Sequence, residues 1–384
     1  MKLDGIRVLD LSRFLPGPYI ALAMADHGAE VIKIESFEGE PTRNFGPRVE
    51  GFTPYFRNSQ RGKKSLRLNL KAAEGKAIFM QLARETDVII ESFRPGVAAR
   101  LGIDYDSVKA ENPRIIYCAM SAFGQDGPLA LRPSHDLGAQ AMTGVLSLGQ
   151  TDGRAPSLPA APTADIAQSC LSLAGIAMAL FRREQTNQGD FLDMSMTDAL
   201  MSWTPHALSN VLGADAAPDL EQERLYGGAA FYGIYETSDG GHIVLSGSEM
   251  SFVQNLLAAL GREDLVDCCR EWGDAQQPVK AFLQETFKTR TRDEWDEWLA
   301  DIGVCYAAVN DLRDGWHLPV FRERGMIRRG RDGVEYLGTP IHYRDEPGDP
   351  SDYLAELGGD TDAILERLGY DESARVQLKS NGVC

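Results

Sequence analysis

The first 125 residues alternate short, almost purely apolar runs with helix-forming runs, and this limits the fold of the 384-residue chain more than any other feature. "IRVLDLS" (6–12) predicts a strand. "GPYIALAMADHG" (17–28) predicts a helix stopped at Gly28, and "AEVIKIE" (29–35) a second strand. Such a unit closes as a parallel pair with a right-handed crossover. "KKSLRLNL" (63–70), "DVIIESF" (87–93) and "RIIYCAMSAFG" (114–124) continue as strands, with helices over 71–85, 95–102 and 105–113 between them. Near-continuous apolar strands need cover on both faces, so the expectation is α/β, a doubly wound sheet. Ligands of such sheets sit beyond the carboxyl ends of the strands. That puts Arg13 and Phe14, Ser92 to Arg94, and Ser121 to Gly124 at a crevice. No GxGxxG follows the first strand, which disfavours ordinary dinucleotide binding.

Two helical patterns follow, over 135–148 and 164–184, joined by the Pro-rich stretch 153–163. A short strand and a helix are expected over 189–208. A linker over 213–225 then introduces a hairpin over 230–247, folded around Ser-Asp-Gly-Gly, and helices from 251 to 300. These predict a smaller α+β domain. "VEYLGTPIHY" (334–343) and a helical tail over 360–370 complete the chain. The expected division is 1–211, 212–325 and 326–384.

The formal net charge of −17 excludes a free-standing nucleic-acid binder, which needs a basic tract. An anionic ligand would need a local positive site. "RGKK" (61–64) offers one through Arg61 and Lys63, or is a solvated turn before a strand. Six Cys show neither CxxC nor Cys/His spacing, so no metal is expected, and a reducing compartment fits. The N-terminal run is short and alternating, unlike a signal peptide. No run reaches about 18 unbroken apolar residues. These features predict a soluble, cytoplasmic protein with no membrane partner.

Three titratable residues stand out, each with a plain structural alternative. Asp165, in "PTADIAQS", opens a long apolar helix, either as an N-cap or as a nucleophile or base. His135, in "RPSHD", opens another, and Asp136 beside it is a cap candidate. Glu249, in "SGSEMSF", begins a helix after the hairpin. "SFRPG" (92–96) ends a strand with Arg94 at the crevice, suited to a phosphate.

In combination, "LDGIRVLDLS", "GPYIALAMADHGAEVIKIE", "RGKKSLRLNLK", "DVIIESFRPGVAARLGI", "NPRIIYCAMSAFGQDGP", "TADIAQS" and "ALFRREQTNQGDFLDMSM" resemble the family III CoA-transferases over nearly the whole chain. The resemblance implies a Rossmann-like large domain completed by the C-terminal segment, an inserted small domain, and an interlocked ring-like homodimer. It implies acyl-CoA substrates, with coenzyme A as part of the thioester and no permanently bound cofactor. Phe14, Ser92, Phe93, Arg100 and Leu101 match the CoA-contacting region; Arg61, Lys63 and Arg94 join them on charge alone. "SHD" and "SGSEMSF" are similar to segments of the α-methylacyl-CoA racemase branch, which fills all three racemase positions: His135, Asp165 and Glu249. On that pattern the protein inverts the α-carbon of a 2-methyl-branched acyl-CoA, with His135 and Asp165 on opposite faces and Glu249 supporting His135. "GAQAMTG" leans towards the transferases, in which Asp165 would form an acyl anhydride and move CoA between acids. A non-catalytic CoA-ester binding protein is a third alternative. For the racemase chemistry, backbone N–H groups at the helix N-terminus near Asp165 are expected to stabilise the enolate.

Overall fold

The computed structural model describes residues 1–149 and 155–384, and the first two residues of the expected Pro-rich stretch, 153 and 154, lie outside them. The chain divides into two compact units. The first comprises Met1–Thr143, Ala160–Trp203 and Pro319–Cys384. Its elements run β1 (Arg7–Asp10), α1 (Pro16–Asp26), β2 (Glu30–Glu35), α2 (Pro54–Gln60), β3 (Lys64–Arg67), α3 (Ala73–Ala83), β4 (Val88–Glu91), α4 (Val97–Leu101), α5 (Tyr105–Lys109), β5 (Ile116–Ser121), α6 (Asp136–Met142), α7 (Thr163–Thr186), β6 (Asp190–Ser195) and α8 (Met196–Met201). The six strands form one sheet in the order β3-β2-β1-β4-β5-β6, every pair parallel. The order reverses between β1 and β4, which opens a crevice at the carboxyl ends of those strands.

Successive strand residues point to opposite faces, and both faces are buried. Leu9, Ile32, Ile89 and Tyr117 pack with Phe79 of α3 and with Leu365 and Leu378 from two C-terminal helices, Thr361–Arg367 and Glu372–Ser380. Val8, Val31, Ile90 and Cys118 pack with Ile20 and Met24 of α1 and Ile176 of α7. The C-terminal segment thus supplies part of the cover for one face. By length and composition α7 is apolar enough to cross a membrane. Here it lays a buried stripe of Ala164, Ala167, Ser172 and Ile176 into this unit.

Helix α2 lies between the strands expected over 29–35 and 63–70, a stretch for which no helix was expected. Its signal is local: Thr53 accepts from the Phe56 N–H at 3.1 Å, and Pro54 follows at the first helical position. The helix expected over 135–148 ends early. Thr143 caps α6, and Gly144 turns the chain with φ of 80°.

The second unit comprises Thr204–Leu318 and the described part of Gly144–Pro159. Its antiparallel sheet has the order β7 (Tyr232–Glu236), β8 (His242–Ser246), β9 (Tyr306–Ala308). Helices Met250–Ala259, Gln277–Phe287 and Arg292–Leu299 bury Leu257, Phe287 and Trp295 against Tyr235 and Leu245. Strand β9 is three residues long, too short to leave a period-2 pattern. The boundaries fall at 204 and 319 rather than 212 and 326. Residues 319–337 group with the first unit because they bond to α2: Leu337 donates its N–H to Asn58 at 2.7 Å, and Asp332 pairs with Arg57 at 2.6 Å.

Charge is buried where β1 ends. Asp10 is fully buried and meets Lys63 Nζ at 3.0 Å and Lys33 Nζ at 3.4 Å. Burial alone would raise its pKa, but the two ammonium groups and the Ser12 hydroxyl outweigh it and hold the carboxyl at about 2. Lys63 is drawn down to about 8 by burial, against the attraction of Asp10, so this pair is ionic at neutral pH. We expect Asp10→Ala to cost about 3–5 kcal/mol in urea unfolding at pH 7, because it strands two buried ammonium groups. The wild-type contribution of Asp10 is present above the unfolded carboxyl pKa and is lost as pH falls towards 2. A loss below about 1 kcal/mol would contradict this account.

Candidate active site

Two cavities adjoin at the carboxyl edge of the six-stranded sheet and share Arg13 and Phe93. One, of about 550 Å³, is lined by Lys33, Phe37, Lys71, Arg100 and Leu101 among others. The other, of about 420 Å³, is lined by Phe14, Ser92, Arg94, Ser121, Arg132, His135, Asp165 and Gln168. His135 and Asp165, thirty residues apart and from different elements, therefore face one space. Six of the eight expected ligand contacts line one or both cavities: Phe14, Ser92, Phe93, Arg94, Arg100 and Leu101.

Arg61 and Lys63 do not. Arg61 is 1% exposed and forks onto Asp26, with Nη2 to Oδ2 at 2.9 Å. Lys63 Nζ is spent on Asp10, the Pro18 carbonyl and Gln60, each within 3.0 Å. Both cations neutralise internal carboxylates, so the expectation that they meet an external anion is corrected. Their sequence neighbourhood carries charge but not the direction in which each side chain points. The cavity cations without an ion pair among the described residues are instead Arg13, Arg94 and Arg132 in the smaller cavity, with Lys71 and Arg100 in the larger.

The loop after β1 is held from three sides. The Ser12 N–H donates to Asp10 at 3.0 Å, the Arg13 N–H to Ser92 Oγ at 3.1 Å, and the Phe14 N–H to the buried Glu40 at 2.9 Å. Phe14 adopts φ of 65°, a left-handed conformation that a bulky residue takes only under constraint. Its ring meets His135 edge-on, with centroids 6.1 Å apart. His135 is the N-cap residue of α6 but makes no side-chain cap bond, so the imidazole is left free of that duty.

Asp165 occupies the third position of α7, not its cap. The capping is done from α6: Asp136 Oδ1 accepts from the Ala164 N–H at 2.8 Å and the Asp165 N–H at 3.2 Å. Asp136, expected as a cap for its own helix, thus serves the next. The Thr163 N–H is taken by the Ala161 carbonyl at 2.9 Å. These first-turn amides of α7 are therefore occupied, and the expectation that they stabilise an oxyanion beside Asp165 is corrected. Burial, with the Asp136 charge beside it, pushes the Asp165 carboxyl up to about 7. On the same cavity wall the Ser121 hydroxyl is buried without a hydrogen-bond partner among the described residues.

Glu249 lies in the second unit, exposed, at the N-cap position of Met250–Ala259, with no side-chain cap bond. Its sequence signal as a helix start is real.

A doubly wound α/β protein with a histidine and an aspartate lining a cavity at the carboxyl edge of its sheet has the layout of an enzyme. The chain belongs to CoA-transferase family III, whose family model matches residues 3–361. It is 33% identical to an acetyl-CoA:oxalate CoA-transferase of Acetobacter aceti, over 88% of both chains. It is 32% identical to an α-methylacyl-CoA racemase of Homo sapiens, over 100% of this chain and 97% of that one. A crystal structure of a CAIB/BAIF family protein from Brucella suis superposes with a TM-score of 0.84 at 32% identity, covering 95% of this chain and 99% of the other. Members of this family are enzymes, racemases or CoA-transferases, acting on CoA thioesters.

One further carboxyl bonds the backbone of Phe93, a residue that lines both cavities. Glu91 ends β4 buried, and burial pushes it up to about 8 despite the Phe93 N–H it accepts at 2.6 Å. Its protonated form suits the fold, so its contribution is complete below the unfolded glutamate pKa and is lost as pH rises through about 8. Glu91→Gln keeps an acceptor for Phe93 and removes the ionisation. Its stability advantage over wild type should grow by about 1.4 kcal/mol per pH unit between pH 5 and 8 in urea titrations. A pH-independent difference would contradict the assignment.

Proposed function

We propose that this enzyme is an acyl-CoA racemase or epimerase that inverts the α-carbon of a 2-methyl-branched acyl-CoA by two-base proton transfer. The observation that carries the reading is the shared cavity: His135 and Asp165 both line it, and the Asp165 carboxyl is poised at about 7. A thioester α-proton is weakly acidic, so its removal needs a positioned base with a pKa near the working pH, and inversion needs an acid on the other face. In one direction Asp165 takes the proton and protonated His135 returns one. In the other the roles exchange. Glu249 would orient His135. The orphaned Ser121 hydroxyl is our candidate donor to the enolate oxygen. CoA would extend from this cavity over Phe93 into its neighbour, where Lys71 and Arg100 offer charge to its phosphates. We also propose a homodimer, since α7 leaves Met178 and Phe181 exposed.

A second reading, transfer of CoA between carboxylic acids through an acyl-Asp165 anhydride, draws support from the likeness to the oxalate transferase and from the Asp165 carboxyl, to which no donor bonds among the described residues. The two readings differ in what they ask of His135. Racemisation predicts exchange of the α-proton into deuterated water without any acceptor acid, read by mass spectrometry across a panel of branched acyl-CoAs. His135→Ala should lower that exchange by about 10²–10⁴-fold. Transfer predicts no exchange, tolerance of His135→Ala, and a hydroxylamine-trappable group on Asp165.

The pH profile separates them again. Both directions of racemisation use the His135–Asp165 pair with a single proton between them, so kcat/KM should be bell-shaped, with its maximum near neutrality. Nucleophilic attack needs an ionised Asp165. Transfer should therefore rise as pH passes about 7 and then level off.

A further inference from the structure

Asp136 does not face the substrate cavity, yet it touches both parts of the proposed pair. It directly follows His135 in the chain, and it bonds the backbone of Asp165. Three donors converge on its carboxylate: the Ala164 N–H at 2.8 Å and the Asp165 N–H at 3.2 Å on Oδ1, and Gln140 Nε2 at 2.7 Å on Oδ2. Gln140 is itself buried and sits one turn along α6, so it fixes the carboxylate in the orientation that reaches α7. Among the described residues no other charged side chain ties the first turn of α6 to the first turn of α7. The spacing of the cavity's two working groups therefore passes through one carboxylate.

We propose that Asp136 is the positioning residue of this site: it braces the Asp165 backbone against the segment that carries His135, and it keeps a negative charge beside the Asp165 carboxyl. The proposal rests on the proton-transfer reading of His135 and Asp165. The charge has a consequence. Asp165 is coupled to Asp136 of α6 and Tyr55 of α2, and His135, Arg13, Arg94 and Arg132 line the same cavity. Burial first, and the Asp136 charge second, keep the carboxyl protonatable near neutrality. Without the Asp136 charge, burial would still hold the Asp165 carboxyl above the ordinary carboxylate range, but its midpoint would fall and less of it would be available as an acid at neutral pH.

Two substitutions separate brace from charge. Asp136→Asn keeps an oxygen for the two amides and removes the charge. Asp136→Ala removes both. The titration of Asp165 is followed directly in protein carrying ¹³C-labelled aspartate carboxyls, with Asp165→Asn to assign the resonance, and the kcat/KM profile for α-proton exchange is recorded in parallel. In Asp136→Asn the Asp165 midpoint should fall by about half a pH unit or more, with the melting temperature within a few degrees of wild type. The whole bell of kcat/KM should move to lower pH. In Asp136→Ala, kcat at the optimum should fall at least tenfold further, with KM little changed. An unshifted Asp165 midpoint in a folded Asp136→Asn variant overturns the charge role. Equal kcat in the Asn and Ala variants overturns the brace. If no acyl-CoA shows exchange in the wild type, the proton-transfer reading fails, but the carboxyl titration still tests Asp136.

Discussion

The ion cluster around Asp10 is the constraint on which the rest of the first unit depends. A parallel sheet ends abruptly at its carboxyl edge, and at the reversal between β1 and β4 the chain leaves both neighbours without cover. Here that gap is filled by charge rather than by hydrocarbon. Asp10 sits between Lys33 and Lys63, and Lys33 also faces Glu40 at 3.5 Å. Glu40 in turn holds the Phe14 N–H, and Phe14 meets His135. A path of direct contacts thus runs from the end of the first strand to the cavity. Such a cluster contributes little net stability against an apolar substitute. What it supplies is direction: it fixes a loop in a left-handed conformation that a fluid apolar plug would release.

This arrangement explains why some of the fold was legible in the sequence and some was not. The strands announced themselves because burial on both faces forces near-continuous apolar runs, as in "VIIE" of β4 and "IYCAMS" of β5. Helix α7 announced itself by length. Residues at the carboxyl ends of the strands fell at a crevice because strand order in a doubly wound sheet leaves few choices. Lys63 defeated the same logic. A basic residue at the start of a strand looks solvated from its neighbours, and only the sheet order brings β1 and β3 close enough for Asp10 to reach it.

The candidate site divides in the same way. His135 and Asp165, which line one cavity, stood out through motif resemblance and not through periodicity. The role of Asp136 did not. Its hydrogen bonds span 28 and 29 residues, across a loop, to amides that any sequence would contain. Backbone groups leave no trace in residue identity. The same blindness hid Glu40, whose contact with the Phe14 N–H spans 26 residues.

That blindness bears on the chemistry. Either reaction places negative charge on the thioester oxygen, as an enolate or as a tetrahedral adduct, and that charge needs donors that are not already engaged. The first turn of α7 looked like the natural source, since helix N-termini collect anions. Its donors are already occupied by a side chain and a carbonyl of the same fold. A donor that must break a hydrogen bond to reach the oxyanion gives back much of what it gains. The cavity wall does offer groups with capacity to spare: the Ser121 hydroxyl, unpartnered among the described residues, and the guanidinium groups of Arg13, Arg94 and Arg132, none in an ion pair. In a chain of net charge −17, three such arginines around one space are the local reversal of sign that an anionic thioester requires. The bonded helix end therefore holds Asp165 in place, and in the proposed chemistry the negative charge would be met by side chains that line the cavity.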